Sequence, residues 1–259
     1  MRIARFTTGD DPAYGVVGGS EGEEIVAVMV GDPLYNGVEL TGEQHSLVDV
    51  RLLAPVIPRS KVVGIGRNYA AHAAELGHAV PAEPLVFLKP NTSVVGPFDP
   101  IVHPVQSTEV HFEGELAVVI GRICRDVPAD QVDDVIYGYT VCNDVTARDL
   151  QESDGQWARA KGFDSFCPLG PWIETELDPS DLLIETTVNG ETLQHDRTSL
   201  MLHDVASQIA YITSFTTLLP GDVIATGTPA GVGRLQPGDE VSVTVEGIGT
   251  LTNKVVSRG

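Results

Sequence analysis

The sequence is poor in basic residues. Its 259 residues include 16 Lys and Arg against 36 Asp and Glu, which gives a formal net charge of −20. Proteins that bind nucleic acids or anionic membrane surfaces need clustered Lys and Arg side chains to contact phosphate groups. The acidic excess therefore argues against both kinds of partner, and we expect neither a nucleic acid nor a membrane to be bound.

Cysteine and long apolar segments are also scarce. The three cysteines, Cys124, Cys142 and Cys167, lie 18 and 25 residues apart, a spacing that fits neither a disulfide framework nor a zinc site. No run reaches the roughly 18 apolar residues that a transmembrane helix needs, and residues 1–12 lack the apolar core of a secretion signal. We therefore expect a protein of the reducing cytoplasm.

Glycine and proline, in contrast, are plentiful. The 27 Gly and 17 Pro separate short apolar runs, which is typical of a β-rich domain with few helices. Regular helices do not alternate with the predicted strands, so a doubly wound parallel sheet is not expected, and the sequence predicts a mostly β fold of the α+β class. Pro55 and Pro58 suggest a boundary between a small β-rich N-terminal domain, residues 1–58, and a larger domain, residues 59–259.

Local patterns predict the individual elements. Asn68 and Thr146 are the expected N-caps of two helices, one over 69–76 and one that begins after Thr146. Apolar residues at helical spacing over 202–212 predict a third helix, and Asn189-Gly190 predicts a hairpin turn. Strands are predicted over 2–6, 14–17, 24–30, 61–65, 85–88, 112–120, 137–144, 183–188, 191–194, 223–226, 240–245 and 249–256.

The segment 111–120 carries two carboxylates on one side of a predicted strand. With a period of two, Glu113 and Glu115 share a face with His111, while the opposite face is apolar. Buried carboxylates this close repel each other unless they share a cation, and oxygen ligands alone suit Mg²⁺, Mn²⁺ or Ca²⁺ rather than zinc or copper. A solvated strand face is the alternative interpretation. Asp144, at the polar end of another predicted strand, could supply a third carboxylate.

Three further patterns offer groups for proton transfer and charge binding. His72 and Glu75 share one face of a predicted helix, where the carboxylate would orient the imidazole and raise its basicity. A simple surface pair is the commoner meaning of this spacing. Lys161 lies among aromatic residues and could neutralise a carboxylate or an enolate, or only cover apolar surface. Residues 225–233 form a glycine-rich loop whose N–H groups and hydroxyls could bind an anion.

Several ordered motifs occur together between about residues 59 and 256. They are Gly66-Arg67-Asn68-Tyr69-Ala70-Ala71-His72-Ala73-Ala74-Glu75, Phe87-Leu88-Lys89-Pro90, His111-Phe112-Glu113-Gly114-Glu115-Leu116, Asn143-Asp144-Val145-Thr146-Ala147-Arg148-Asp149, Lys161-Gly162-Phe163-Asp164 and Thr226-Gly227-Thr228-Pro229-Ala230-Gly231-Val232-Gly233. With these motifs the chain resembles the fumarylacetoacetate hydrolase family, although residues 1–58 carry none of them. The resemblance implies a mixed β-roll fold, a homodimer and one catalytic copy per chain.

The resemblance also implies roles for individual residues. A divalent metal, usually Mg²⁺ or Mn²⁺ with Ca²⁺ conceivable in crystals, would be held by Glu113, Glu115 and Asp144. His72 with Glu75 would act as the base, and Lys161 would stabilise enolate or carboxylate charge. The implied substrate-binding residues are Arg67, Arg148, Gln151, Gly227 and Thr228.

The activity implied by the resemblance is metal-dependent chemistry on a small 2-oxo or 2-hydroxydienoic acid or diacid, through a metal-bound enolate. An isomerase of 2-hydroxyhepta-2,4-diene-1,7-dioate type, in the catabolism of aromatic compounds, is the preferred expectation. An acylpyruvate hydrolase that cleaves a C–C bond and an oxaloacetate decarboxylase remain open, because all three reactions share the enolate. A non-catalytic, acidic Ca²⁺-binding β module is the alternative of another class, but it leaves His72, Glu75 and Lys161 unexplained.

Overall fold

The structure is a computed structural model, and it describes residues 1–20 and 22–258. Strands dominate the described residues, as the short apolar runs between glycines and prolines lead one to expect. The strands are β1 (Arg2–Thr7), β2 (Ala13–Gly18), β3 (Ile25–Met29), β4 (Leu40–Ser46), β5 (Arg51–Leu53), β6 (Val62–Gly66), β7 (Leu85–Lys89), β8 (Val94–Val95), β9 (Ile101–His103), β10 (Val110–Phe112), β11 (Gly114–Ile120), β12 (Ile136–Asn143), β13 (Thr146–Ala147), β14 (Cys167–Glu174), β15 (Leu183–Val188), β16 (Glu191–Arg197), β17 (Val223–Ala225), β18 (Gly233–Arg234), β19 (Glu240–Val245) and β20 (Gly249–Ser257). The α-helices are α1 (Pro33–Asn36), α2 (Ala70–Glu75), α3 (Arg148–Asp154), α4 (Ala158–Lys161) and α5 (Val205–Phe215), and 3-10 turns span Leu47–Asp49, Asn91–Ser93, Ala129–Asp134, Pro179–Asp181 and Thr198–Leu200.

Most of the described strands join one large sheet. Its order is β4-β3-β2-β1-β14-β12-β11-β17-β6-β7, with β5 paired to β1 and β8 paired to β14. Within the described part of the chain, a second sheet follows the order β16-β15-β19-β20-β9 and a small third sheet follows β13-β10-β18. The sheets are mostly antiparallel, although β17 and β6 pair in parallel. This architecture confirms the predicted mostly β fold of the α+β class.

The N-terminal strands extend the large sheet. Strand β1 pairs with β14, where Ile3 lies opposite Ile173, and β2, β3 and β4 follow in antiparallel order. Phe6 and Val26 belong to a separate small apolar core under these strands. The N-terminal unit thus has a core of its own while it shares backbone hydrogen bonds with the rest of the chain. The domain boundary at residue 58 stays a prediction.

Strand β11 connects the core to the residues that matter for chemistry. It is buried along its whole length. Leu116 and Val118 pack into the largest apolar cluster, together with Ile209 of α5, while Ala117 and Val119 pack into another cluster on the other side. Burial of each large apolar side chain contributes about 1.5–3 kcal/mol to the stability of the fold. The packing of β11 therefore fixes the position of the side chains at its first residues.

The structure corrects the predicted start of the helix after β6. Helix α2 begins at Ala70, and Tyr69 is its N-cap without a side-chain capping bond. Asn68 does not cap the helix, because its amide group donates to the carbonyl oxygens of His203 at 2.9 Å and Thr226 at 2.8 Å. This buried asparagine therefore links distant loops instead of ending its own helix.

A helix does begin after Thr146, as predicted, but the predicted cap of that helix and the predicted start of the helix over 202–212 are wrong. Thr146 lies in β13, and its hydroxyl donates to the carbonyl oxygen of Asp144 at 2.9 Å, so it does not cap α3. Leu202 lies outside α5, which begins at Val205 after the N-cap Asp204. Helix α5 has 11 residues. Among the described residues, no helix has the length and apolar character required to cross a membrane.

Candidate active site

Three carboxylates meet where β11 begins and β12 ends. Glu113 lies between β10 and β11, Glu115 lies in β11, and Asp144 follows β12. The two strands pair antiparallel with Gly114 opposite Asn143, which brings the start of one to the end of the other. One oxygen from each carboxylate lies within 4.8 Å of the others, and all three side chains are buried. The register of the sheet therefore assembles a compact acidic cluster from distant parts of the chain.

The predicted continuous strand over 112–120 is interrupted at Glu113. Residues before it pair in the small sheet, and residues after it pair in the large sheet. At this junction the backbone N–H of Glu113 donates to the side-chain oxygen of Asn143 at 3.0 Å, and its carbonyl oxygen accepts from the N–H of Asp144 at 2.8 Å. The change of sheet, rather than the alternation of a single strand, fixes the position of Glu113.

Three cationic side chains surround the acidic cluster. Lys161, at the end of α4, donates to Glu113 at 2.6 Å and to Asp144 at 2.5 Å. Lys89, at the end of β7, donates to the other oxygen of Asp144 at 2.5 Å, and Arg148, the first residue of α3, donates to Glu113. Burial alone would lower the pKa of Lys161, but the charges of Asp144 and Glu113 raise it overall. All three cations are therefore held by buried ion pairs.

Glu115 differs from the other two carboxylates. Within residues 1–20 and 22–258 it accepts one hydrogen bond, from the backbone N–H of Gly227 at 2.8 Å, and takes part in no ion pair. Burial and the charges of Asp144 and Glu113 raise the pKa of Glu115 well above its ordinary value. Burial would also raise the pKa of Glu113, but the cations in contact with that carboxylate lower it overall. Glu115 is thus the carboxylate that still needs a positive partner.

The glycine-rich loop after β17 closes over the start of β11. Gly227 has a φ of +101°, and a Cβ at this position would lie 2.6 Å from the Cβ of Asn68, so glycine is required. The hydroxyl of Thr228 donates to the carbonyl oxygen of Gly114 at 2.9 Å and accepts from the amide of Gln194 at 2.7 Å. The loop therefore positions the carboxylate cluster, and its Gly227 N–H binds a protein carboxylate rather than an external anion.

Helix α2 brings together the predicted acid–base pair. His72 is 4% exposed, and its Nδ1 lies 3.3 Å from Oε2 of Glu75. The carboxylate of Glu75 also accepts from the backbone N–H of Gly231 at 3.1 and 3.2 Å, which holds it in place. Burial lowers the pKa of His72 more than nearby carboxylates raise it. The imidazole is therefore neutral near pH 7, and Nε2 is the nitrogen that can accept a proton.

A cavity of about 370 Å³ borders these groups. Its wall contains most of the residues that the sequence predicts for the site: Arg67, His72, Glu113, Glu115, Arg148, Gln151, Lys161 and Thr228. Glu75, Asp144 and Gly227 do not line the cavity, and each contacts a residue that does. The arrangement combines buried carboxylates, cationic donors and a neutral imidazole around one space, which is what proton transfer on an anionic substrate requires.

Three residues at the site were missed by sequence reasoning. Lys89 binds Asp144, and the signal was a charged residue at the end of an otherwise apolar predicted strand. Gln194 is fully buried, and its side-chain amide links the glycine-rich loop to β11 and β15. A glutamine in a predicted hairpin does not by itself indicate a residue of the site. Trp157 lines the cavity, with its ring centre 5.4 Å from that of Phe87.

The sequence matches two family models. Residues 61–256 match the model described as fumarylacetoacetate (FAA) hydrolase C-terminal. The chain belongs to the fumarylacetoacetate hydrolase family. Residues 1–55 match the model described as Rv2993c-like, N-terminal. The resemblance seen in the ordered motifs is thereby confirmed.

Similar proteins cover the full length of this family member. Protein Rv2993c from Mycobacterium tuberculosis is 55% identical over 264 residues, which cover 100% of this chain and 99% of the relative. The crystal structure of 5-carboxymethyl-2-hydroxymuconate delta-isomerase from Mycobacterium smegmatis has a TM-score of 0.93 at 52% identity and covers 100% of both chains. The crystal structure of 2-hydroxyhepta-2,4-diene-1,7-dioate isomerase from Mycobacterium marinum has a TM-score of 0.92 at 52% identity. The match covers 100% of this chain and 99% of the other.

Other members of the fumarylacetoacetate hydrolase family carry different names. Oxaloacetate tautomerase FAHD2A, mitochondrial, from Homo sapiens is 44% identical over 220 residues, which cover 80% of this chain and 70% of the relative. Fumarylpyruvate hydrolase from Pseudomonas aeruginosa, solved with Mn²⁺ and pyruvate, has a TM-score of 0.74 at 34% identity, covering 78% of this chain and 91% of the other. The chain is therefore an enzyme of a family that includes isomerases, tautomerases and hydrolases.

The acidic cluster fits the divalent metal of this family. Glu115 has a buried carboxylate without a cationic partner among the described side chains, and a bound cation would supply one. Each carboxylate offers about four lone-pair positions, so Glu113 and Asp144 can accept their hydrogen bonds and still bind an ion. The carboxylate oxygens lie within 4.8 Å of one another. This limit is inside the span of about 5 Å between two oxygens on one Ca²⁺ and slightly above the span of about 4.2 Å on one Mg²⁺.

Proposed function

We propose that this enzyme is a divalent-metal-dependent isomerase of 2-hydroxyhepta-2,4-diene-1,7-dioate type. The observation that carries the proposal is the buried cluster of Glu113, Glu115 and Asp144 beside a cavity that also contains arginine and lysine side chains. Support for the reaction comes from two full-length structural neighbours at 52% identity, both named as isomerases.

The charges around the cluster suit a dianionic substrate. Three cationic side chains, Lys89, Lys161 and Arg148, pair with Glu113 and Asp144, whereas Glu115 has no ion pair among the described residues. A divalent ion would add two positive charges, and the two carboxylates of a dioate would balance them. Since an unpaired buried charge costs several kcal/mol, the loaded site would favour a diacid over a neutral molecule.

The 2-oxo or 2-hydroxy end of the substrate would lie at the carboxylate cluster. The metal, when bound, would act as a Lewis acid that lowers the cost of forming an enolate. Arg148 and Gln151 contact each other at 2.9 Å and offer donors from the cavity wall to the C1 carboxylate. The ammonium group of Lys161 would stabilise the negative charge that develops on the oxygen at C2.

His72 would move the proton. Its Nε2 takes the proton of the 2-hydroxyl group, and the same imidazolium returns a proton to C5. The electrons of the O–H bond form C2=O, the C2=C3 pair moves to C3=C4, and the C4=C5 pair bonds the proton at C5. Glu75 keeps Nδ1 protonated and holds the ring, so that Nε2 faces the substrate as the base.

The test incubates the full-length protein with Mg²⁺ or Mn²⁺ and three substrates: 2-hydroxyhepta-2,4-diene-1,7-dioate, an acylpyruvate and oxaloacetate. We expect the conjugated diene absorbance to be lost from the first substrate, at a rate that the His72→Ala variant does not reach. Release of pyruvate from the acylpyruvate would instead identify a C–C hydrolase, and release of CO₂ from oxaloacetate above the His72→Ala background would identify a decarboxylase. Failure with all three substrates, together with tight Ca²⁺ binding, would identify the non-catalytic module.

A further inference from the structure

The proposed function leaves one part of the cavity wall, formed by Arg67 and Trp157, without a role. Arg67 and Trp157 line this cavity, and no hydrogen bond or ion pair among the described residues joins Arg67 to the acidic cluster. We propose that Arg67, supported by the indole ring of Trp157, binds the distal carboxylate of the substrate and so selects diacids over monocarboxylic 2-oxo acids. This inference rests on the proposed function for the chemistry at the other end of the substrate.

Arg67 is a cation with unused hydrogen-bonding capacity. It is half-buried, and in the described part of the chain its guanidinium group takes part in no ion pair or side-chain hydrogen bond. Its central carbon lies 5.8 Å from the ring centre of Trp157, a cation–π contact. A cation–π contact uses none of the N–H donors of the guanidinium group, so they stay free for a carboxylate, which the group can bind through two parallel hydrogen bonds.

The aromatic support under Arg67 is itself fixed. A Cβ at Gly66 would come within 2.6 Å of the Trp157 ring, so the indole packs directly against the backbone of Gly66. Phe87 contacts the indole edge-on, with an angle of 65° between the rings. Arg67 has a φ of +56°, in the left-handed region that residues other than glycine seldom adopt. Such conformations persist where the surroundings hold them, often at ligand sites.

The aromatic contacts set an upper limit on the distance between Arg67 and Lys161. Lys161 Nζ lies 4.8 Å from the Phe87 ring centre, Phe87 and Trp157 lie 5.4 Å apart, and Arg67 follows at 5.8 Å, so the guanidinium carbon lies no more than 16 Å from the ammonium nitrogen. An extended seven-carbon chain measures about 8 Å between its carboxyl carbons. With about 4 Å for the contact at each end, the ligand needs a span that does not exceed this limit. This upper limit leaves room for one seven-carbon diacid between the two cations, as the proposal requires.

Two other titratable residues, besides those of the proposed reaction, line the same cavity. His78 follows α2, and Glu152 lies in α3. Both are exposed, so water and salt screen their charges. Arg67 is half-buried beside the indole ring of Trp157, and its charge is screened less. The cavity wall beside Arg67 is thus expected to favour an anion.

The test measures binding rather than turnover. Two unreactive ligands, 2-oxoheptanedioate and 2-oxoheptanoate, differ in the distal carboxylate, and titration calorimetry on the metal-loaded protein compares them. We expect wild type to bind the diacid about 10- to 100-fold more tightly, as a charge-assisted guanidinium–carboxylate contact allows. Arg67→Met should reduce this preference to less than about threefold, with the monoacid bound as before. Equal binding of both ligands by wild type, binding of neither, or a preference that survives Arg67→Met would overturn the inference.

Matched variants separate recognition from structure. Arg2 lies over Trp172 at 5.2 Å, a similar contact that is not part of the cavity, so Arg2→Met should leave the diacid preference unchanged. Trp157→Leu keeps the charge of Arg67 but removes the indole ring beside it. Arg67→Lys keeps the charge but removes the planar guanidinium group. Both variants should therefore lose part of the preference for the diacid. A full preference in both variants would contradict the role of the stacked guanidinium.

The inference and the proposed function can fail separately. If the protein shows the diacid preference but does not isomerise 2-hydroxyhepta-2,4-diene-1,7-dioate, the reaction is wrong and the distal subsite stands. If it isomerises that compound and 2-hydroxyhexa-2,4-dienoate with equal kcat/KM, the reaction stands and the distal subsite is wrong.

Discussion

Lys89 and Asp144 form an ion pair in which Nζ lies 2.5 Å from Oδ1 and neither side chain is more than 1% exposed. The other oxygen of Asp144 accepts from Lys161 at 2.5 Å. This carboxylate is therefore bound from two sides by the protein itself. Buried pairs of this kind contribute little net stability compared with apolar packing, but the loss of one partner leaves an uncompensated charge.

Replacement of Lys89 by methionine should destabilise the protein. We expect the free energy of unfolding of metal-free Lys89→Met to fall by about 3–5 kcal/mol, because Asp144 loses a buried partner. A bound divalent ion should offset part of this loss, so urea denaturation is measured with and without Mg²⁺. Lys254→Met, at an exposed residue 4.0 Å from Glu240, should change stability by less than about 0.5 kcal/mol. Similar losses in the two variants would contradict the prediction.

The metal site predicts that substitutions of two neighbouring glutamates both abolish the response to metal but differ in metal-free stability. Mg²⁺ or Mn²⁺ at about 100 times its Kd should raise the Tm of wild type by about 5–10 °C. Glu115→Gln should abolish this rise without loss of metal-free stability, because it removes a buried charge that its neighbours repel. Glu113→Gln should abolish the rise and also lower metal-free stability, because Lys161 and Arg148 lose a partner.

The control for this pair is Glu191→Gln, at an exposed position in β16. It should keep both the metal-free Tm and the rise on metal addition. A rise that persists in Glu115→Gln would show that the cluster does not bind the ion. Equal metal-free stability of Glu113→Gln and Glu115→Gln would show that their electrostatic surroundings do not differ as described.

Part of the site could be predicted because its patterns are local. Glu113 and Glu115 are two residues apart, and His72 and Glu75 share a helix face, so short-range spacing was enough to place each pair together. The strand break at Glu113 could not be predicted in this way. It depends on the hydrogen bond to Asn143, 30 residues away, and on the register of β11 and β12, which no local pattern specifies.

Strand β14 shows why some of the fold was missed. Its sequence, Cys167–Glu174, contains Pro168 and Pro171, which lack the N–H group that an interior strand normally needs. No strand was predicted there, yet β14 lies between β1 and β12 in the large sheet. Its pairing with β12 is irregular, with a shift in register between Tyr139 and Val141. Tertiary packing, which the sequence pattern does not display, decides this element.

The role of His72 predicts a specific pH profile. The neutral imidazole is the active base, and burial lowers the pKa of His72 from its ordinary value of 6.5. Activity should therefore rise with pH through a pKa below 6.5 and remain high at neutral pH. Glu75→Gln removes a charge that raises the pKa of His72. The pH at which kcat/KM falls on the acidic side should therefore move still lower, and kcat should fall because the imidazole loses the carboxylate that orients it.

Loss of His72 itself should separate catalysis from metal binding. His72→Ala should lower kcat by about 10²–10⁴-fold while the rise in Tm on metal addition is retained. The matched control is His195→Ala, since His195 forms an exposed pair with Glu185 at 3.1 Å and its loss should leave the kinetics unchanged. Undiminished turnover by His72→Ala would assign the base to another residue.

Gly227 and Gly238 provide a matched test of the glycine-rich loop. Their φ angles are +101° and +104°, but a Cβ at Gly227 would lie 2.6 Å from Asn68 and 3.1 Å from the carbonyl oxygen of Ile65, whereas nothing lies within 4 Å at Gly238. Gly238→Ala should cost about 1–3 kcal/mol, from backbone strain alone. Gly227→Ala should cost about 3–5 kcal/mol and also abolish the rise in Tm with Mg²⁺, because displacement of the loop withdraws the N–H that holds Glu115. If Gly227→Ala keeps the full response to Mg²⁺, that hydrogen bond is not what positions the carboxylate for the ion.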